Sequence, residues 1–369
     1  MSRHFPSGRL MAPHRTVVVV VGPRWRRWLV FVAWRELWFA RGRFGLLVGV
    51  VVLITVLVGL LSGLTAGLAG RNTSAVLGLV GDHVVFAGQD AGFGGTGLDE
   101  RSARAWAGTA GVRRVEPLRV EMGRAEAGGR SAGVAVFAVP VGSGLRDVEP
   151  GSAVVAAAVA RELGVRDGER ITLGDRTSVV RVANDTEYFS HAPVVWVPME
   201  PGSGFSVLVL STSDCDIAAA DQRIGTTTEG LDDAVGRIGS FAAENGSLVL
   251  MRGFLFAISA LVVGAFFTVW TIQRSPDIAV LKALGASTVY LLRDAVGQAA
   301  VLLVLGTAVG TGIAAAVGAL LGDAAPFVLD LATLAAPAAV LVGLGLLGAA
   351  LAIRRVTSVD PLTALGSAR

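Results

Sequence analysis

The stretch LVLMRGFLFAISALVVGAFFTVWTI, residues 248–272, decides the fold because it is apolar over the length of about 20 residues that an α-helix needs to cross a bilayer. Three other stretches share this character, approximately Phe44–Ala69, Ala295–Leu321 and Leu331–Ile353. Hydrophobic residues make up 53% of the chain and charged residues 17%, and the mean hydropathy is +0.63. Soluble domains rarely show such values. We therefore predict a membrane protein with four transmembrane α-helices.

The distribution of charge predicts how these helices are oriented. Residues 1–43 carry nine basic residues and one acid, whereas residues 71–247 carry sixteen arginines and twenty-three acids. Bases also exceed acids in residues 273–294 and 354–369. Because Lys- and Arg-rich flanks stay inside the cell, both termini and the 273–294 loop are predicted to be cytoplasmic, and 71–247 external. The basic residues thus indicate topology and contact with membrane lipids, not nucleic-acid binding.

The predicted domain organisation follows from these boundaries. In chain order it is a cytoplasmic N-terminus with an interfacial helix (1–43), transmembrane 1 (44–70), an extracytoplasmic α+β domain (71–247), transmembrane 2 (248–272), a cytoplasmic loop (273–294), transmembrane 3 (295–321), a short external loop (322–330), transmembrane 4 (331–353) and a cytoplasmic tail (354–369). Tryptophan interleaved with arginine in Pro23–Arg43 is typical of a helix in the headgroup layer. A plain basic flank remains the alternative. No cleavage site follows the short apolar run Thr16–Gly22, so no signal-peptide cleavage is expected.

The large segment between the first two spans alternates strand-like and helical patterns, which predicts the α+β class. The predicted strands are Asp82–Phe86, Gly133–Pro140, Arg170–Leu173, Ser178–Val182 and Val194–Val197, and the predicted helices are Glu100–Ala110 and Ala153–Leu163. Apolar residues on one face of Gly225–Asn245 predict a further helix that leads into the second span.

Glycines recur at intervals of four in two spans. Gly59, Gly63 and Gly67 share one face of the first span, and Gly306 and Gly310 share one face of the third. Small residues in this register let helices approach closely, so we predict helix–helix contacts, within the protomer or with a second copy. The abundance of glycine in this chain, 48 residues, is the competing explanation.

The loop between spans 2 and 3 contains a short capped helix in QRSPDIAVLKALGAS, residues 273–287. Ser275 is a suitable N-cap before Pro276, and Gly285 provides the left-handed stop. Its apolar stripe and charged flanks are suited to a protein partner. The candidate docking residues are Arg274, Asp277, Ile278, Leu281, Lys282 and Leu284. The alternative is a helix that lies on the lipid headgroups.

Residues for catalysis, cofactors or metals are not recognisable in the sequence. The four histidines lie far apart, and none has a metal-ligand spacing. Asp185, Ser190 and His191 could suggest a catalytic triad, but a polar loop explains them better. The cluster Gly92–Gly97 lacks the Lys-Ser/Thr of a phosphate loop, and Cys215 is the only cysteine. We therefore expect no enzyme and no cofactor, and any ATP-driven work requires a partner that binds the nucleotide.

The order of these segments resembles the FtsX-like permease family, the MacB/LolC type of ABC transporter membrane subunit. The resemblance is carried by Arg274, Asp277, Ile278, Leu281 and the run Lys282–Ser287, with Asp360–Leu365 similar to the family's C-terminal ending. Asp277 stands where many members have Glu, which keeps the charge. The arginine-rich composition with a single lysine is typical of a high-GC bacterium, which places the chain in a bacterial cell membrane.

The resemblance implies a permease subunit that pairs with a second permease copy, as a homodimer, and with cytoplasmic ABC ATPase subunits. The short cytoplasmic helix would be the coupling helix that docks in the ATPase. The expected function is export or extraction of an amphipathic substrate such as a lipid, lipoprotein, peptide or drug. The alternative is an FtsX-like regulator of an extracellular cell-wall hydrolase, and an extracytoplasmic adaptor or hydrolase is a further possible partner. An intramembrane enzyme is disfavoured because the spans hold almost no ionisable residues.

Overall fold

The computed structural model describes residues 41–273, 280, 284–285, 287–322 and 325–357. The α-helices are α1 Arg41–Leu77, α2 Glu100–Ala107, α3 Ala157–Leu163, α4 Ile217–Ile224, α5 Leu231–Ala234, α6 Gly239–Gln273, α7 Thr288–Leu321 and α8 Leu331–Thr357, with a 3₁₀ turn at Val235–Arg237. The strands are β1 His83–Phe86, β2 Val112–Ala127, β3 Arg130–Val139, β4 Ser152–Val155, β5 Arg170–Leu173, β6 Arg176–Val182, β7 Tyr188–Phe189, β8 Ala192–Pro198, β9 Val207–Thr212 and β10 Thr227–Gly230.

Four helices in the described part of the chain are long and apolar enough to cross a membrane, and the α+β domain lies between the first and the second. The candidate spans are Gly45–Leu77, Gly239–Gln273, Leu292–Leu321 and Leu331–Ala352. The predicted fold class, four membrane helices with an α+β domain between the first two, is therefore confirmed. The predicted interfacial helix lies, except for its last three residues, outside the described part of the chain. Helices α1 and α6 continue well beyond the apolar stretches on the side of the domain, so both reach it without a flexible linker.

The four long helices form one bundle, in which α1 packs mainly on α7 and α6 mainly on α8. Its core lies at the end of the bundle away from the domain, where Leu47 of α1 meets Phe267 of α6 and Leu303 of α7. Phe267 and Trp270 make an edge-to-face aromatic pair there, with ring centroids 5.8 Å apart. Apolar side chains on the opposite faces of these helices remain exposed, as contact with lipid requires.

The strands form one mixed sheet that partly closes on itself. Their order is β10-β1-β9-β2-β3-β8-β4-β6-β5, and β5 pairs again with β2. Strands β2, β3, β8, β4, β6 and β5 therefore make a closed ring. The pairs β3–β8 and β4–β6 are parallel, and the others along the ring are antiparallel. Closure leaves no free edge across most of this half of the domain.

Strand β2 joins the two halves of the domain. Residues 112–118 pair with β9, and residues 119–127 pair with β3. The ring encloses Val134, Val155 and Ile171 under α3, while a second core around Phe86 and Phe137 lies beside the ends of α1 and α6. The domain is thus packed directly onto the membrane helices.

All five predicted strands are present, with bounds that differ by at most three residues at either end. Two helix predictions are wrong. Ala153–Leu163 begins as strand β4, because the β-branched Val154 and Val155 are inserted between β6 and β8, and helix α3 starts only at Ala157. Gly225–Asn245 is not one helix either, because Thr227–Gly230 pairs with β1 as an edge strand before α5 and α6 begin.

Candidate functional site

Most of the predicted docking helix lies outside the described residues, namely Arg274, Asp277, Ile278, Leu281 and Lys282. Its last docking residue, Leu284, is described, and 80% of its surface is exposed. Gly285 has a φ of 93°, the left-handed conformation that its predicted role as a helix stop requires. Ser287 then caps α7 by accepting a hydrogen bond from the Tyr290 backbone N–H at 3.2 Å.

Three of the five predicted packing glycines lie at the contact between α1 and α7. A Cβ atom at Gly59 would lie 2.9 Å from the Ala314 Cβ, and one at Gly306 would lie 2.7 Å from Val51 Cγ1. At Gly310 an added Cβ would lie 2.6 Å from the Thr55 Cβ. Real Cβ atoms do not approach so closely, so only glycine permits this helix separation.

Gly63 and Gly67 face a loop and not a helix. The Phe327 ring, from the loop between α7 and α8, occupies the space that a Cβ at Gly63 would need, and the Pro326 carbonyl occupies the space beside Gly67. The Val328 backbone N–H donates a 3.1 Å hydrogen bond to the Gly63 carbonyl. The loop therefore folds back between α1 and α7 at their domain end.

The domain meets the bundle at a cluster of five polar residues, here called the joint. They are Asn72 of α1, Ser190 and His191 between β7 and β8, and Ser240 and Glu244 of α6. Asn72 is 1% exposed, so its polar atoms depend on partners inside the protein. The joint lies where three separate parts of the chain converge.

The side chains of the joint form one hydrogen-bonded network. The Asn72 Nδ2 donates to Glu244 Oε2 at 3.1 Å, and the Ser240 Oγ donates to Asn72 Oδ1 at 2.6 Å. His191 Nε2 lies 2.9 Å from Glu244 Oε1, and the Ser190 and Ser240 hydroxyl oxygens lie 2.8 Å apart. Each residue therefore helps to orient the next.

Backbone bonds fix the same turn to α1. The Ser190 N–H donates to the Asn72 carbonyl at 3.1 Å, and the His191 N–H donates to the Arg71 carbonyl at 2.9 Å. Ser190 and His191 have positive φ angles of 50° and 66°, a backbone conformation that residues other than glycine seldom adopt. The Tyr188 N–H also donates to the Ser74 Oγ at 2.9 Å. The bonds to α1 hold this strained turn in place.

The geometry does not support a catalytic triad. His191 is bonded to Glu244, whereas Asp185 lies beside the Arg146 guanidinium at 3.7 Å and Ser190 contacts Ser240. Within the described residues, no group of three or more His, Cys, Asp or Glu side chains could hold a metal ion. The hydrogen bonds of the joint connect the domain to helices α1 and α6.

The joint is not predicted by any pattern in the sequence. Asn72 is more than 100 residues from its partners, and His191 is 53 residues from Glu244, so no local spacing connects them. One signal was available: the α1 helix pattern continues past the apolar stretch through Asn72 and Thr73, which indicates a helix that leaves the membrane and enters the domain.

Four membrane-length helices, with a folded domain fastened to the first two, define a multi-pass membrane protein. Residues 249–361 match the family model described as FtsX-like permease C-terminal. The C-terminal part of the chain thus matches the FtsX-like permease family that the sequence resembles.

Relatives of known sequence are named as permeases. The chain is 30% identical over 200 residues to a putative hemin transport system permease protein HrtB of Staphylococcus epidermidis (strain ATCC 12228 / FDA PCI 1200), which covers 52% of this chain and 57% of HrtB. It is 27% identical over 270 residues to an uncharacterized ABC transporter permease of Mycobacterium tuberculosis (strain ATCC 25618 / H37Rv), covering 69% of this chain and 75% of the relative. The chain thus spans little more than half the length of the HrtB relative.

Two solved structures overlap with the domain. The periplasmic region of MacB from Actinobacillus actinomycetemcomitans has a TM-score of 0.32 at 13% identity and covers 43% of this chain and 92% of its own. The extracellular domain of the noncanonic ABC-type transporter YknZ from Gram-positive bacteria has a TM-score of 0.30 at 12% identity and covers 41% of this chain and 99% of its own.

Proposed function

We propose that this chain is the membrane subunit of an ABC transporter and that it couples ATP hydrolysis by a separate ATPase to motion of its α+β domain. The FtsX-like domain at 249–361 is the observation that carries the proposal, because it contains most of the second membrane helix, all of the third and fourth, and the predicted coupling segment. Relatives named as ABC transporter permeases support it. Two copies of the chain would assemble with the ATPase subunits in a bacterial cell membrane, with both termini cytoplasmic.

The partner ATPase would contact the permease at the loop between α6 and α7. The sequence of the chain has no nucleotide-binding motif, so the work requires a partner. Ile278, Leu281 and Leu284 provide the apolar contact with the ATPase, and Arg274 and Lys282 provide charged contacts. Leu284, exposed and next to the left-handed Gly285, is the described residue that fits this role.

Helix α6 is the path by which the motion reaches the domain. It is continuous over 35 residues, a length of about 52 Å at about 1.5 Å per residue. Ser240 and Glu244, at its first turns, belong to the joint, and Gln273, at its other end, adjoins the coupling segment. A tilt of α6 would therefore displace the domain through hydrogen bonds, without an intervening flexible linker.

The cargo class is an amphipathic molecule that is exported or extracted from the membrane. The long helices expose wide apolar surfaces, and their described segments contain few charged residues, which argues against ion or proton coupling. Among amphiphiles, hemin is the first candidate because the HrtB relatives are named for hemin transport.

The test is the substitution Leu281→Asp. We expect it to abolish stimulation of the partner's ATPase by the permease in reconstituted vesicles, because a carboxylate in the apolar stripe cannot be buried in the partner. Membrane insertion should be unchanged. Leu281→Met, which keeps the apolar volume, is the matched control and should retain stimulation. Normal stimulation by Leu281→Asp would contradict the assignment.

A crosslinking experiment identifies the partner directly. Cys215 is the only cysteine, so Lys282→Cys in a Cys215→Ser background presents a single thiol at the coupling segment. A thiol-directed photocrosslinker placed there should capture a nucleotide-binding protein. A cysteine at Arg161, an exposed residue of α3 in the domain, is the control position and should capture none. Recovery of no nucleotide-binding partner from Lys282→Cys would count against the proposal.

A further inference from the structure

Helix α6 carries one charged residue within its apolar stretch, Arg252. Helical spacing places it on the same face as Glu244 of the joint, eight residues earlier, and Ser259 and Val263, seven and eleven residues later. Ser259 and Val263 are buried in the bundle, at 3% and 5% exposure. Arg252 therefore faces the bundle, at a level where the helices cover it only in part.

Arg252 has no partner among the described residues. Its Nε is buried and makes no hydrogen bond. Arg146 and Arg237 also have a buried Nε without a bond, but their other nitrogens bind Glu187 at 2.7 Å and Glu229 at 2.6 Å. No ion pair, hydrogen bond or ring contact of this kind involves Arg252 in the described part of the chain. A guanidinium in such surroundings needs an anion or several acceptor oxygens.

The depth of Arg252 places it at one boundary of the membrane. It lies 21 residues from Gln273 along α6, or about 32 Å, which matches the roughly 30 Å thickness of the hydrocarbon layer. It is thus at the leaflet surface on the side of the domain, about 12 Å below the joint. Ser62 of α1, whose buried hydroxyl also lacks a partner, lies about 15 Å below Asn72 by the same measure.

We propose that Arg252 binds the carboxylate head of the transported amphiphile in the leaflet on the side of the domain. The inference rests on the proposed transport function. Leu255 and Phe256, half-buried and one turn further along the same side of the helix, would contact the apolar body of the same molecule. A boundary phospholipid fits less well, because its natural contacts are the outward-facing Leu250 and Leu261, at 61% and 72% exposure. An inward-facing cation selects a molecule that enters between the helices.

Hemin is the probe because it combines a planar apolar body with two carboxylates. Its dimethyl ester keeps the body and lacks the charges. We expect the permease–ATPase complex in phosphatidylcholine nanodiscs to bind hemin more tightly than the ester. Arg252→Gln should weaken hemin binding about 10- to 100-fold, as loss of a charge-assisted bond requires, and leave binding of the ester unchanged. Arg252→Lys should retain most of the affinity, and the exposed Arg161→Gln is the matched control.

Three results would overturn this assignment. The first is no binding of hemin to the wild-type complex, and the second is equal hemin affinity in Arg252→Gln and the wild type. The third is loss of the preference for hemin over its ester when phosphatidylglycerol is added to the wild-type nanodiscs, which would assign the site to phospholipid headgroups. Basal ATPase activity and the effect of Leu281→Asp are measured on the same preparations. A defect in ligand binding with normal coupling therefore separates failure of this site from failure of the transporter assignment.

Discussion

Helix α1 is held by two regions of opposite character. In its middle, Gly306 and Gly310 of α7 let the backbones of α1 and α7 approach until no further carbon atom fits between them. At its end, Asn72 holds α1 to the domain and to α6 through directional hydrogen bonds. The first contact depends on shape alone, whereas the second depends on a few polar atoms that could exchange partners with water.

The difference indicates a division of labour along the same helix. Close-packed glycine contacts have no alternative arrangement of similar energy, so the α1–α7 pair acts as a fixed platform. The joint is partly accessible to solvent, since His191 and Glu244 keep 34% and 42% of their side-chain surface exposed. Bonds of this kind can break and form again, because water can replace either partner. If the domain moves as proposed above, we expect its orientation to change at the joint.

The strongest test of the platform is Gly310→Leu. The new side chain would collide with Thr55 and the Val52 carbonyl, so we expect destabilisation at or above the upper end of the roughly 1–3 kcal/mol typical of overpacking. The destabilisation is measured as a lower melting temperature of the detergent-purified protein, with unfolding monitored by size-exclusion chromatography after heating. Gly312→Leu is the matched control, because nothing lies within 4 Å of a Cβ at Gly312. Equal melting temperatures for the two variants would show that the glycine contact does not determine the packing.

The joint is tested by Asn72→Ala. It removes three side-chain hydrogen bonds but leaves the partially exposed partners His191, Ser240 and Glu244 free to bind water, so we expect a loss of only about 1 kcal/mol in stability. The effect on function should be larger: ATPase activity should remain, but hemin binding on the domain side should no longer respond to nucleotide. Asn245→Ala, an exposed neighbour of Glu244, is the control and should behave as the wild type. If hemin binding in Asn72→Ala still responded to nucleotide, a contact other than the joint would transmit the motion of the helices to the domain.

The sequence predicted the bundle far better than the joint, for a physical reason. A span is specified by about 20 consecutive apolar residues, and Gly285 specifies its turn locally, so both can be recognised within a short window. Strand β2 was missed because its arginines, glutamates and Pro117 hide an alternation that only pairing with β3 and β9 explains. Asn72 and His191 meet only because the whole domain folds, and no spacing within one sequence encodes that distance.

The smallest expected effect belongs to Asp99, a cap on α2 that lies in neither region. Its carboxylate accepts hydrogen bonds from the Ser102 N–H at 2.9 Å and the Arg101 N–H at 3.0 Å. The bond from the Ser102 N–H is the main cause that lowers the pKa of Asp99 below its ordinary value of 3.8. The folded state favours the charged form of Asp99. The stabilisation of the folded protein by this cap is therefore present above about pH 3.8 and is lost as the pH falls through the lowered pKa.

Asp99→Asn keeps a good cap that does not titrate, whereas Asp99→Ala removes the cap. The protection factors of the α2 amides, corrected for intrinsic exchange at each pH, should therefore be lower in Asp99→Ala than in the wild type at neutral pH. In Asp99→Asn they should not fall at acid pH as those of the wild type do. Melting of the whole protein should hardly change, because an exposed cap protects one short helix and neither the platform nor the joint. If Asp99→Ala shifted the melting temperature as far as Gly310→Leu does, stability would not be concentrated in close packing, and the contrast between the two regions would fail.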